Sequence, residues 1–248
     1  GSSPIIHENA LISLYDGFDV QYVVALDKNT GETLWKKDRA FDFQKTNGDW
    51  KKAYCTARVI EHQGRQELIA PAAACTEAFD PATGELLWTV RHGGMNASAR
   101  PLYENGLVYL TNGMGAMVAV RAGGKGDVTK SNIAWQSSRS VSKKASQLLV
   151  DGLLYMIGDK GIAACVDAAT GENVWTDRLD GNYAASPILA EGRIYFCNDK
   201  GVVSVVKPGR TLEILAKNKL DDGFMASPAI VGKSLILRTR SHLYRIEK

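Results

Sequence analysis

Three segments of this chain carry one pattern: an aspartate, two variable residues, Thr-Gly, three more residues and a tryptophan. They run from Asp27 to Trp35 (DKNTGETLW), from Asp80 to Trp88 (DPATGELLW) and from Asp167 to Trp175 (DAATGENVW). Recurrence at this length marks an internal repeat. A repeat confines the fold to stacked copies of one small unit. A second pattern marks where each unit begins: a small residue and proline, an apolar run, a glycine-containing turn, then another apolar run. Ser186-Pro187 and Ser227-Pro228 are the clearest copies, and Arg100-Pro101 is close. Ser146-Gln147 replaces the proline, Ser3-Pro4 opens the chain, and Thr56-Ala57 is a weaker copy. The proline-equivalent positions are 4, 57, 101, 147, 187 and 228, spaced by 53, 44, 46, 40 and 41 residues. That makes six units.

Each unit reads as four short strands. In the fourth, Gln147 to Val150, Leu153 to Ile157, Ile162 to Val166 and Glu172 to Thr176 are short runs rich in apolar residues. Asp151-Gly152, Gly158 to Gly161 and Asp167 to Gly171 separate them as turns. No segment shows sustained helical periodicity with caps, which disfavours a parallel α/β fold. The aspartate of the motif can accept hydrogen bonds from N–H groups two or three residues on. The glycine then supplies a left-handed conformer. A four-stranded unit cannot cover both its faces, so units must stack, and the tryptophan is suited to wedge between neighbours. The expected fold class is therefore all-β: a β-propeller of four-stranded antiparallel blades. Asp27, Gly31, Trp35, Asp80, Gly84, Trp88, Asp167, Gly171 and Trp175 are its structural repeat positions.

The DxxTGxxxW motif, joined to the Ser-Pro start, resembles the PQQ-like (quinoprotein alcohol dehydrogenase-like) repeat. The likeness runs over nearly the whole chain and is strongest in units one, two and four. Unit three departs from it through an insertion at Ala122 to Ser131. Unit five has Lys207-Pro208-Gly209 in place of Thr-Gly and no tryptophan. The resemblance implies a ring of six to eight blades, with the N-terminus usually supplying the last outer strand. Unit six shows no fourth strand after Leu243 to Ile246. The expectation is a single propeller domain over 1–248 with one or two blades preceding Ser3 in the native chain. A six-unit ring without a shared strand is the alternative.

Propeller ligands sit where loops lead into the innermost strands, and three such loops are alike. They span Gly93 to Arg100, Gly181 to Ser186 and Asp222 to Ser227. His92, Asn96, Arg100, Asn182, Tyr183 and Met225 are the ligand-binding candidates they yield, set against a purely packing role for the same loops. The resemblance implies that a catalytic PQQ-like protein would carry calcium, a catalytic aspartate and often a vicinal disulfide. No Cys-Cys dipeptide exists, and no acidic residue matches the catalytic aspartate. Asp221-Asp222 is the nearest acidic pair. No cofactor is expected, and PQQ with calcium belongs only to an oxidoreductase alternative.

Other chemistries leave little trace. The four histidines show no metal-ligand spacing, and there is no CxxC pair, nucleophile elbow or P-loop. Cys55 and Cys75 would flank one hairpin, where buried free thiols are expected ahead of a disulfide. The 30 basic and 27 acidic residues are interspersed, which argues against a nucleic-acid stripe. No run is long enough to span a bilayer, and no signal segment opens the chain. The sequence-level reading is a noncatalytic propeller, a protein-interaction or ligand-binding scaffold in the bacterial cell envelope. A PQQ- or metal-dependent oxidoreductase and a small-molecule or carbohydrate sensor are the alternatives. The family resemblance implies a periplasmic or otherwise extracytoplasmic location, and oligomeric state stays open.

Overall fold

Short apolar runs separated by glycine turns give antiparallel meanders, because a tight turn can only return the chain beside the strand it left. The computed structural model describes residues 1–44, 46–138 and 141–247; Lys45, Arg139, Ser140 and Lys248 lie outside the described residues. The first sheet holds β1 (Ile5–His7), β2 (Ala10–Asp16), β3 (Gln21–Asp27) and β4 (Thr33–Asp38) in that order. The second holds β5 (Arg58–His62), β6 (Arg65–Pro71), β7 (Cys75–Phe79) and β8 (Leu86–Arg91). The third holds β9 (Leu102–Glu104), β10 (Leu107–Thr111), β11 (Met117–Arg121) and β13 (Ile133–Ser137). The insertion in this unit forms β12 (Gly126–Asp127) and the short helix α1 (Thr129–Asn132). β12 adds to β8 as a parallel fifth strand of the second sheet.

The fourth sheet comprises β14 (Leu148–Val150), β15 (Leu153–Ile157), β16 (Ile162–Asp167) and β17 (Asn173–Arg178). The fifth comprises β18 (Ile188–Ala190), β19 (Arg193–Cys197), β20 (Val202–Lys207) and β21 (Glu213–Lys219). The sixth has three strands, β22 (Ala229–Val231), β23 (Ser234–Arg238) and β24 (Leu243–Glu247). These are the six blades of an all-β, propeller-type chain. The chain divides into two compact units, residues 1–138 and 139–248, each holding three blades.

Register is shared by the sheets. Ile5, Ile12, Ala25 and Trp35 lie across the first, and Leu148, Tyr155, Cys165 and Trp175 across the fourth. A bulge between the third and fourth strands recurs at the same place, at Ala25/Leu26, Ala78/Phe79 and Cys165/Val166. It also occurs at Ala119/Val120 and Val205/Val206, in the sheets that lack the Asp-to-Gly turn. Where that turn is present, its aspartate holds it. Asp27 Oδ1 accepts from Asn29 and Thr30 N–H at 2.8 and 2.9 Å, and Asp80 Oδ1 from Ala82 and Thr83 at the same distances. Asp167 repeats this at 3.1 and 3.3 Å. Gly31, Gly84 and Gly171 close the turns with φ of 78°, 70° and 74°.

The cores lie between sheets, as stacking requires. In the first unit, Ile12, Val23 and Trp35 pack on Leu68 and Phe79, while Ile69, Ala78 and Trp88 pack on Val108, Leu110 and Val118. In the second, Tyr155, Ala163 and Cys165 meet Ile194, Phe196 and Val206, and Cys197 and Val205 meet Leu237. The indole N–H of each of the three motif tryptophans finds an acceptor. Trp35 Nε1 donates to Pro81 O in the turn of the next sheet at 3.1 Å, and Trp175 Nε1 to Gly209 O in the next sheet at 3.2 Å. Thus Lys207-Pro208-Gly209, which lacks the motif, still supplies the acceptor carbonyl. Trp88 differs, because the insertion occupies the corresponding turn of sheet three. Its Nε1 donates to Glu67 Oε2 at 2.9 Å, and that oxygen also accepts from Gly123 N–H at 3.3 Å. Burying such an indole contributes at most about 5 kcal/mol by area.

Gly31 and Gly84 test this seating directly. A Cβ on Gly31 would meet nothing within 4 Å, whereas one on Gly84 would sit 2.7 Å from the Trp35 ring. Both Ala variants bear the left-handed cost of ~1–2 kcal/mol. Gly84→Ala is expected to lose about 1–3 kcal/mol more than Gly31→Ala from overpacking, measured by urea unfolding. Equal losses would mean Trp35 does not rest on that turn.

Candidate functional site

In the first unit two connections approach each other: residues 39–57, between β4 and β5, and residues 92–101, between β8 and β9. Asn96 N–H donates to Lys52 O at 2.8 Å and Tyr54 N–H to Ala97 O at 2.7 Å. Asn96 sits at φ 55°, a left-handed conformation that asparagine tolerates. His92 is held by its own scaffold. Its Nε2 lies 2.9 Å from Thr76 Oγ1 and its Nδ1 lies 2.8 Å from Gly93 O. A carbonyl only accepts, so Nδ1 carries the proton and Nε2 accepts from the threonine hydroxyl. Burial lowers the His92 pKa, and the Gly93 carbonyl opposes the shift. Arg100 is exposed. Burial, and then the Arg100 charge, hold the Arg58 guanidinium below its ordinary range.

In the second unit the candidates part company. Asn182 is clasped to Asp199: its N–H donates to Oδ1 at 3.0 Å and its Nδ2 to Oδ2 at 2.8 Å. Tyr183 is 2% exposed and belongs to the core between sheets four and five, with its hydroxyl donating to Asp180 O at 3.2 Å. Burial pushes its phenol up to about 12. Its ring is occupied by packing in this arrangement, and stacking on a ligand would require it to leave the core. Met225 is 64% exposed. Asp222 Oδ1 accepts from Gly223 N–H and Oδ2 from the Ser241 hydroxyl, each at 2.9 Å. Those bonds hold its carboxyl below the usual range and engage both oxygens a cation would use. Among the described residues no group of three or more His, Cys, Asp or Glu is arranged to hold a metal ion.

Two features escaped sequence reasoning. The first is a buried charge cluster. Arg39 forks onto Asp16, with Nε to Oδ1 at 2.9 Å and Nη2 to Oδ2 at 2.8 Å, and reaches Glu77 Oε2 at 3.4 Å and Ala70 O at 2.9 Å. Glu77 Oε1 accepts from Ala40 and Phe41 N–H at 2.8 and 3.1 Å. Burial works to lower the Arg39 pKa, but Asp16 and Glu77 outweigh it and raise it. Burial raises Glu77, against Arg39. The cluster joins sheets one and two and anchors the start of the 39–57 connection. Cys55 and Cys75 are buried free thiols, and burial pushes Cys55 up to about 12, far from a reactive thiolate.

The second is a group of exposed aromatics. Tyr15, Phe18, Trp50 and Tyr54 are 52%, 59%, 51% and 37% exposed. Tyr15 stacks on Tyr22 with centroids 4.7 Å apart. The Phe18 ring lies against the Gly48 backbone, where a Cβ would come within 2.5 Å, and Ala53 N–H donates to Asp16 O. These contacts bring the β2–β3 turn against the 3-10 helix Gly48–Lys51, so the aromatics share one region. Two clefts, of about 460 and 180 Å³, are lined by Lys37, Phe79 and Gly84 and by Val202, Ser204 and Lys217. None of the six candidate residues lines either. No helix among the described residues is long and apolar enough to cross a membrane.

A family profile described as outer membrane protein assembly factor BamB matches residues 19–248. Among solved structures, BamB from Moraxella catarrhalis aligns with a TM-score of 0.71 at 16% identity, covering 95% of this chain and 68% of its own. Quinohemoprotein alcohol dehydrogenase ADHIIG from Pseudomonas putida HK5 aligns at 0.61 and 17% identity, over 88% of this chain and 42% of its own. The computationally designed Ika8 protein aligns at 0.70 and 11% identity, over 99% and 70%. No curated protein sequence matches the chain. At such identities the structural likeness establishes the fold alone, and a designed protein sharing it shows how little function the fold fixes.

The His92 environment predicts an acid-side loss of stability. As pH falls through about 6.5 the unfolded chain protonates this histidine, while the folded chain does so only at lower pH. Between those values the unfolded state binds more protons, so stability drops as pH falls, and above 6.5 the group contributes nothing. His92→Gln is expected to show a shallower drop than the parent below pH 6.5 in parallel urea titrations. Identical profiles would refute a neutral His92 held by its partly buried scaffold.

Proposed function

The chain belongs to the family described as outer membrane protein assembly factor BamB, and from that premise we propose that it is a noncatalytic scaffold binding protein partners in the bacterial cell envelope. The observation that carries this reading is the exposed aromatic group of Tyr15, Phe18, Trp50 and Tyr54. Aromatic side chains left in water in one region are the usual anchors of protein interfaces, where each fills a pocket on the partner. The polar candidates support the same reading from the other side. His92, Asn182 and Tyr183 direct their polar atoms at their own scaffold. The partner class follows from the family: a component of the machinery that assembles outer-membrane proteins.

Immobilised protein is expected to bind the purified outer-membrane assembly machinery of its own organism in biolayer interferometry. Trp50→Ala and Phe18→Ala are each expected to weaken that binding at least tenfold, since a hot-spot anchor is worth about 2 kcal/mol or more. Leu215→Ala, exposed on β21, is expected to leave it unchanged. No binding by the parent protein, or equal binding by the aromatic variants, would overturn the reading.

A further inference from the structure

One proline-equivalent position departs from the others by carrying an amide. The six are Pro4, Ala57, Pro101, Gln147, Pro187 and Pro228. Five hold a side chain with no hydrogen-bonding group, whereas glutamine brings an NH2 donor and a carbonyl acceptor. Gln147 stands immediately before β14 and is 4% exposed. Its neighbours fix the segment in place. Ala145 and Leu148 pack in the core between sheets four and five, and Ser146 N–H donates to Ser186 Oγ at 2.9 Å.

Among the described residues neither Nε2 nor Oε1 of Gln147 has a hydrogen-bond partner. Two further buried atoms of the same stretch share this state. Ser142, 1% exposed, has an unpartnered Oγ, and Asp159 an unpartnered Oδ1. Asp159 lies in the turn between β15 and β16. Its other oxygen is 3.6 Å from Lys144 Nζ, which sets the 142–147 segment against that turn. Strand register does the same from the other end, pairing Leu148 with Tyr155. Four of the five buried side-chain atoms that lack a partner among the described residues therefore fall on two adjoining segments. Buried polar groups in native proteins almost always find a partner, because leaving them unpaired is costly. An anion would not meet Oε1 or Oδ1, and a cation would not meet Nε2. Hydroxyl groups serve all of them, donating to Gln147 Oε1 and Asp159 Oδ1 and accepting from Gln147 Nε2.

We infer that Gln147, with Ser142 and Asp159, forms a buried site for hydroxyl groups, supplied by water or by a small polyol. The site uses none of the exposed aromatics and stands or falls separately from the scaffold reading.

The test is NMR of the isotope-labelled full chain, read at the Gln147 side-chain NH2 signal, with thermal unfolding of Gln147→Met beside it. Correlations from the Gln147 backbone assign the signal independently of the variant. Held water is expected to give a cross-peak at this signal in buffer alone. A bound polyol is expected to move the signal saturably as glycerol is added. A cross-peak without a glycerol response assigns water, and a saturable shift assigns the polyol. Gln147→Met keeps the side-chain length and removes both polar atoms. It is expected to melt below the parent, because the bonds to the guest are lost. An amide buried without a guest would make the same variant melt higher, since an unpaired polar group is removed. The absence of both cross-peak and saturable shift, or a higher Tm for Gln147→Met, would each overturn the inference.

Discussion

The indole of one sheet resting on the turn of the next is the contact on which each compact unit depends. A four-stranded meander buries one face only by lending it to a neighbour, and its own hydrogen bonds do not reach that neighbour. Trp35 to Pro81 O and Trp175 to Gly209 O supply the crossing, a large apolar surface with a single directional bond at its edge. The Asp-to-Gly turns matter for the same reason, because they fix the carbonyl that receives the bond and the glycine that lets the ring approach. Where the insertion displaces that turn, fully buried Glu67 takes over as acceptor for Trp88. Removing Glu67 would leave a buried N–H without a partner, which is costlier than the bond itself is worth.

Once the repeat positions are committed to stacking, what remains for recognition are the departures from the repeat. The 39–57 connection is the largest. It is anchored by Arg39 between Asp16 and Glu77, tied to residues 96 and 97, and it carries Trp50 and Tyr54 to the surface. A buried triad of this kind is weak evidence of stability, since the desolvation of three charges offsets most of their attraction. Its geometric effect is plainer: two N–H donors at residues 40 and 41 are pinned to one carboxylate, so the connection leaves sheet one in a fixed direction.

Much of the fold was legible in the sequence because its determinants are local. Asp27, Thr30 and Gly31 act on one another within five residues, and their spacing is visible without a structure. The triad was not legible, because its members are 23 and 38 positions from Arg39's side and only strand pairing unites them. His92, Asn96 and Arg100 fall on one connection, as the loop pattern implied, while Tyr183 lies within the core because an aromatic at a loop end can turn inward as readily as outward. The aromatic group left one sequence trace that went unused: the first repeat spacing, 53 residues, is the longest, and the surplus is the 39–57 connection.

The central claim is that the repeat tryptophans belong to the stacking and that Trp50 does not. Indole N–H exchange, followed by NMR on protein labelled at its five tryptophans, tests it most directly. The account predicts that Trp88 exchanges slowest, that Trp35 and Trp175 are protected, and that Trp50 exchanges at the rate of free indole. Exchange of Trp88 as fast as Trp50, or a Trp50 as protected as Trp35, would contradict it.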